Sequence, residues 1–325
     1  MNEVSRRHFL ELMGATAGIA LFGTACSASS PARAQSSPTA PAQTSLAPTT
    51  TAAPSSGKAY LAVARGSDAA AITKAAVASL GGIERFVKSG NDVIIKPNIC
   101  TEYHGAEYAT TTNPTVVATL VALCLGAGAR RVRVMDMPFG GTPEAAYAIS
   151  GIADAAQGAG GEMEVMSPIK YAMTPIPQGK DITEWEVYQD VLKADVLINV
   201  PIAKHHSLAR LTLGGKNLLG VILKPNRIHW NMGQRIADLA SLVRPTLTVM
   251  DAVRILVKNG PTGGSLDDVK QTNTVIASHD MVAVDAFATT LFGLTGKDID
   301  YVKTSADMGL GTLDLSSVKI EEINA

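Results

Sequence analysis

The chain has 325 residues, of which 46% are hydrophobic and 18% charged, with a net charge of −1. That balance allows a large core and offers no strongly basic stripe, so no nucleic-acid partner is expected. Aromatic residues make up only 5%, so Val, Ile, Leu, Ala and Met must fill the interior.

The first residues read as an address. Ser5-Arg6-Arg7-His8-Phe9-Leu10 has the paired arginines of a twin-arginine export motif, and an apolar, Gly- and Ala-rich run over 12–25 follows it. That run is too short for a comfortable permanent span. The export machinery is therefore an expected partner, and the folded protein is expected outside the cytoplasm. Two processing routes stay open. Ala32-Arg33-Ala34 is an A-x-A cleavage site, which makes 1–34 a signal peptide. Gly23-Thr24-Ala25-Cys26 resembles a lipobox, which would tether the protein to the membrane through a lipidated Cys26. Residues 35–57 are Ser, Thr, Pro, Ala and Gln, which cannot bury a core and read as a disordered linker. The folded domain is expected over 58–325.

Beyond Cys26 only Cys100 and Cys124 remain, and no C-x-x-C occurs. No cysteine zinc site or ferredoxin-type cluster is encoded. A Cys100–Cys124 disulfide stays open, although Cys124 falls on a predicted helix and reads as core. Cys100 reads as an ordinary loop thiol rather than as a nucleophile.

From residue 58 onward the texture alternates. A strand over 59–63 leads to an Ala-rich helix over 68–87, interrupted near Gly81-Gly82. A short strand over 92–95 ends in Lys96-Pro97-Asn98. After a Thr-rich loop, Asn113-Pro114 opens a helix, since Asn caps well and Pro suits the first helical position. A strand over 132–135 ends at Asp136, and Thr142-Pro143-Glu144 opens the next helix. Residues 162–190 alternate irregularly and suggest a hairpin between prolines. A buried strand over 196–200 then ends at Pro201 and releases Lys204, His205 and His206, followed by Gly214-Gly215-Lys216-Asn217, Gly220 and His229. A helix over 234–243, a strand over 247–250 ending at Asp251, and a strand over 274–277 ending near His279-Asp280 come next. Helices to about 292 and over 297–306, and a strand over 318–323, complete the chain.

Apolar strands alternating with helices predict an α/β fold with a mostly parallel sheet and helices on both faces, with an inserted small lobe as an open variant. Ligands of such sheets lie beyond the carboxyl ends of the strands. In a parallel sheet, Lys96, Asn98, Asp136, Lys204, His205, His206, Asp251, His279 and Asp280 would share one rim. Lys204 and Lys216 suit a carboxylate or phosphate better than a bare dication, so no metal is assigned. His206 or His229 would transfer protons, with Asp251 or Asp285 orienting an imidazole or a ligand hydroxyl. Asp285 reads equally well as a buried structural acid. Lys96, Asn98, Asp136 and Asn217 complete the expected ligand-binding set. No nucleophile elbow, Walker loop or complete dinucleotide fingerprint is present, so the cofactor stays unspecified. Twin-arginine export alone motivates a bound redox group.

Several motifs occur together in order: Ile95-Lys96-Pro97-Asn98, Thr112-Asn113-Pro114, Pro201 with Lys204-x-His206, Lys216-Asn217-x-x-Gly220, Asp251, Gly260-Pro261 and Asp280 through Asp285. In these the chain resembles the domain of unknown function 362 family. Asn259 stands where the family's turn usually has Gly. Some members carry ferredoxin-like cysteine motifs, which this chain lacks, so an iron–sulfur role is not implied. The resemblance supports the rim residues as a site and supplies no substrate. Two readings follow: an exported enzyme acting on a small anion, or a non-catalytic lipoprotein that binds one.

Overall fold

The computed structural model describes residues 60–325. The expected signal peptide, Cys26 and the expected linker lie outside the described residues.

The sheet is built by β1 (Leu61–Arg65), β2 (Asp92–Pro97), β3 (Arg131–Val134), β4 (Glu162–Met163), β7 (Val196–Val200), β8 (Ile202–His206), β9 (Arg210–Thr212), β10 (Leu247–Leu256), β11 (Val269–Ser278) and β12 (Ile320–Asn324). Between β4 and β7, β5 (Tyr171–Pro175) and β6 (Glu184–Tyr188) form a separate antiparallel hairpin. The main order is β12-β1-β11-β10-β7-β2-β3-β4, with β8 pairing both β10 and β9. Most pairings are parallel, and the fold is α/β as expected.

The sheet is covered on both faces, and the strand alternation says how. On β1, Leu61 and Val63 join one apolar cluster, while Ala62 and Ala64 join the other. On β2, Ile94 faces the first cluster, and Val93 and Ile95 the second. This two-sided burial is what continuous Val/Ile runs require. Helices α1 (Ala69–Ser79), α2 (Pro114–Gly126), α3 (Pro143–Ile149) and α4 (Ile152–Gly158) supply the second cluster. After the short α5 (Gln189–Lys193), the first cluster receives α7 (Met232–Leu242), α8 (Met281–Thr289) and α9 (Asp300–Asp307), which follow the four-residue α6 (Gly214–Asn217). The hairpin residues Ile176, Ile182, Val187 and Tyr188 join that same cluster, so the hairpin packs on the common core instead of forming a lobe with its own. Asn113 and Thr142 cap α2 and α3 through their side chains, each with Pro at the first position.

Three expectations need correction. Residues 202–206, expected only to follow the end of a strand, form β8. Pro201 cannot donate a ladder bond, so β7 stops there, and the chain re-enters alongside β10 with Asp251 opposite Ile202. Asp251 consequently sits in the middle of a ten-residue strand and not at a strand end. Finally, β11 runs antiparallel to both neighbours, pairing Ser278 with Leu61 and with Thr248. His279 and Asp280 therefore leave the sheet at the edge opposite Lys96. There Asp280 caps α8 and accepts from the Tyr60 hydroxyl. Cys100 and Cys124 are both free thiols. Among the described residues no helix is long and apolar enough to cross a membrane.

Candidate anion-binding site

The first part of the site is a buried hydrogen-bonded frame. Lys96 is the penultimate residue of β2, on the same face as Ile94, and only 1% exposed. Its ammonium lies 2.6 Å from Asp136 and donates to Asn217 Oδ1 (3.0 Å) and the Pro97 carbonyl (2.9 Å). Burial disfavours both charges, drawing the Lys96 pKa down and the Asp136 pKa up against their mutual attraction. Asp136 also accepts from the Ile99 N–H (2.6 Å). Asn217 accepts from Asn98 Nδ2 (2.9 Å) and donates to Asn199 Oδ1 (2.8 Å), and Asn199 in turn donates to the Gly214 carbonyl (3.0 Å). The frame thus ties β2, β7 and α6 into one unit.

The glycines have steric reasons. A Cβ on Gly220 would fall 1.9 Å from Asp136 Oδ1 and 2.7 Å from Lys96 Nζ. One on Gly214 would fall 2.7 Å from Asp285 Oδ1. Asp285 accepts from the Gly214 and Gly215 N–H groups (2.7 and 2.9 Å), which fixes the start of α6. Burial pushes its pKa up to about 7 against those two donors. Asp251 serves a similar structural purpose. Its oxygens accept from Asn113 and Val253 (2.7 and 2.9 Å), joining the head of α2 to β10, and burial raises its pKa to about 6. Among the described residues neither aspartate hydrogen-bonds an imidazole, so neither orients one here.

The second part is a cluster of two lysines and two imidazoles. Lys204 and His206 alternate with Ala203 and His205 on β8, so they share a face. Lys204 donates to the Thr110 carbonyl (2.6 Å) and the Pro261 carbonyl (3.2 Å), leaving the third of its donors uncommitted. Lys216, on α6, is 8% exposed and has no hydrogen-bond or ion-pair partner among the described residues. Burial and the Lys204 charge lower its pKa to about 8. His206 Nδ1 accepts from the Leu208 and Ala209 N–H groups (3.1 and 3.2 Å), so its proton resides on Nε2. Burial, with Lys216, Lys204 and His229 nearby, lowers the His206 pKa to about 3. It is thus a neutral N–H donor across the physiological range, whereas the sequence suggested a proton-transfer role. The His229 ring is centred 6.1 Å away, and its buried Nε2 has no hydrogen-bond partner among the described residues. Its pKa is lowered by burial and by Lys216. His205 turns to the opposite side, where its Nδ1 accepts from the Gly260 N–H (3.0 Å).

Sequence reasoning missed two contributors. The Pro261 carbonyl, far along the chain, accepts from Lys204 and also from the Cys100 thiol (3.5 Å). Cys100 itself, 5% exposed, lies close enough to Lys216 to act on its charge. Only spatial proximity across 161 positions reveals either. Among the described residues no group of three His, Cys, Asp or Glu side chains is arranged to hold a metal ion.

Residues 93–290 match the family described as domain of unknown function (DUF362). A thylakoid-associated protein of Synechocystis sp. is 26% identical over 246 residues, covering 71% of this chain and 72% of that protein. Among solved structures, the lactate racemase apoprotein from Thermoanaerobacterium thermosaccharolyticum has a similar fold, with a TM-score of 0.44 and 13% identity. That likeness covers 67% of this chain and 53% of that one, so this chain spans about half the length of that structure.

Proposed function

We propose, for a chain that belongs to the domain of unknown function 362 family, that the cationic pocket binds a small carboxylate or phosphate and that the protein is an enzyme acting on it. The observation carrying this reading is Lys216: a lysine only 8% exposed, with no hydrogen-bond or ion-pair partner among the described residues, beside Lys204, His206 and His229. Asp136 is engaged by Lys96, so the pocket's charge awaits a compensating anion. A buried charge of this kind is costly unless paired. In this reading Lys216 and Lys204 hold the anion, His206 donates from Nε2, and His229 moves the proton through its free Nε2. An amine with a pKa near working pH is a second proton carrier.

Calorimetric titration of the full chain with oxalate and with inorganic phosphate tests this. Binding of at least one, lost in Lys216→Met, supports the reading. No heat from either anion at millimolar concentration sinks it. If His229→Ala keeps oxalate affinity once a reaction is in hand but loses turnover, the protein is an enzyme; if only affinity changes, it is a binding protein.

The leader supports a location outside the cytoplasm after twin-arginine export, and a relative described as thylakoid-associated is in keeping with a place near a membrane. Replacing Arg6 and Arg7 by Lys is expected to retain the protein in the cytoplasm. Mass spectrometry of the exported protein decides between an N-terminus at Gln35 and a lipidated Cys26.

A further inference from the structure

Cys100 stands out once the pocket is assembled. Its Sγ and the Lys204 ammonium converge on one acceptor, the Pro261 carbonyl, at 3.5 and 3.2 Å. The sulfur contact is long and weak, so the thiol is placed without being consumed. Its backbone is fixed on both sides. The neighbouring Ile99 N–H donates to Asp136, and the Cys100 carbonyl accepts from the Phe139 N–H (2.7 Å). Lys216 adds a second feature at this place: it is 8% exposed, has no hydrogen-bond or ion-pair partner among the described residues, and carries a charge on which both Lys204 and Cys100 act. By contrast Cys124 lies inside α2, fully buried among apolar side chains, and burial pushes its pKa up to about 12.

We propose that Cys100 is the nucleophile of this pocket, adding through Sγ to the carbonyl carbon of an anion that carries its charge next to that carbonyl, such as a 2-oxo acid or an aldehyde acid. The inference rests on the anion-binding reading above. In the step, the S–C bond forms as the carbonyl π bond opens. As the sulfur adds, the Lys216 ammonium gives a proton to the carbonyl oxygen and takes the thiol proton in return, giving a hemithioacetal or hemithioketal. Nothing leaves, and nothing is oxidised or reduced. The carboxylate held by Lys204 and Lys216 sets the carbonyl carbon beside the sulfur, and this pre-positioning is where the rate advantage comes from.

Alkylation of the folded full chain, read by peptide mass spectrometry, tests this. Iodoacetate carries the charge the pocket selects and iodoacetamide does not. Relative to a free thiol in solution, Cys100 is expected to favour iodoacetate by about tenfold or more, the enrichment a cationic cleft gives an anion. Glyoxylate should slow the labelling, Lys216→Met should remove the preference, and Cys124 should label only after denaturation. Cys100→Ser should still bind oxalate, which shows the fold intact, while glyoxylate should no longer form an adduct visible by carbon-13 NMR. If oxalate binds but Cys100 labels only on denaturation, or no glyoxylate adduct forms, the nucleophile is refuted and the anion site stands. If oxalate does not bind and the two reagents label Cys100 alike, both fall.

Discussion

Lys96 and Asp136 meet at 2.6 Å with almost no solvent access, although they leave different strands and are 40 positions apart. Such a pair is weak evidence for net stability, since two charges lose their water. Removing one partner is another matter. Lys96→Met or Asp136→Asn is expected to cost about 3–5 kcal/mol, because the survivor is left buried and unpaired. The double replacement Lys96→Met with Asp136→Leu should cost less than either single change. Urea denaturation of the four proteins checks this.

Gly220 packs directly over that pair, so its hydrogen cannot become a methyl group without displacing Asp136 or Lys96. Gly220→Ala is expected to lower the thermal midpoint and to weaken oxalate binding. Gly126→Ala is the comparison: nothing lies within 4 Å of its added Cβ, and it ends α2. There the change should be neutral or stabilising by roughly 0.5–1 kcal/mol, as Ala restricts the unfolded chain.

Lys216 gives the site a pH limit. Its pKa in the folded protein is lowered to about 8 from 10.5, so the ammonium proposed to hold the anion is present below that pH and disappears above it. Oxalate keeps its charge through this range, and its affinity should fall as pH rises past about 8. Near and above that pH, binding should take up protons, because the anion restores the charged amine. Calorimetry in buffers of different ionisation enthalpy reads that uptake directly. The same depressed pKa means that unfolding takes up a proton between about pH 8 and 10.5, so this group favours the fold more as pH rises through that window.

Asp285 works with the opposite sign. Its folded pKa, about 7, lies above its ordinary 3.8, so the folded state holds the proton better. Its contribution is complete below the ordinary value and is lost as pH climbs through about 7. Asp285→Asn should flatten the fall in stability between pH 4 and 7. It should also cost some stability outright, because one amide oxygen replaces two carboxylate acceptors for Gly214 and Gly215. Chemical denaturation at several pH values separates the two effects.

His206 should stay neutral with its proton on Nε2 from pH 5 to 9, since two backbone N–H groups occupy Nδ1. Nitrogen-15 NMR of the labelled ring reports the tautomer. A titration near pH 6.5 would contradict the environment described above.

Much of the scaffold was legible because its signals are local. Asn113-Pro114 and Thr142-Pro143 announced α2 and α3, as capping chemistry repeats wherever a helix starts. The apolar runs announced β2, β3 and β7. Strand direction was not legible. The residues of β11 read the same whether it runs with its neighbours or against them, so His279 and Asp280 were assigned to the wrong edge. Lys204 and His206 disguised β8, because polar residues on a buried face break the apolar signature of a strand. The meeting of Lys204, Cys100 and Pro261 depends on tertiary packing alone, and no spacing in the text encodes it.

The way β10 outlasts β7 has one more consequence. Lys204 and His206 stand on a strand hydrogen-bonded to β10 on one side and β9 on the other. They cannot shift without unzipping part of the sheet, so one wall of the pocket is stiff. The surrounding segments are where any accommodation to ligand size must occur, among them the turn carrying exposed Leu208 and the 3-10 helix Pro225–Asn231 carrying His229 and exposed Trp230. In the proposed anion site, selectivity by charge would thus belong to the pleated layer, and selectivity by shape to its fringe.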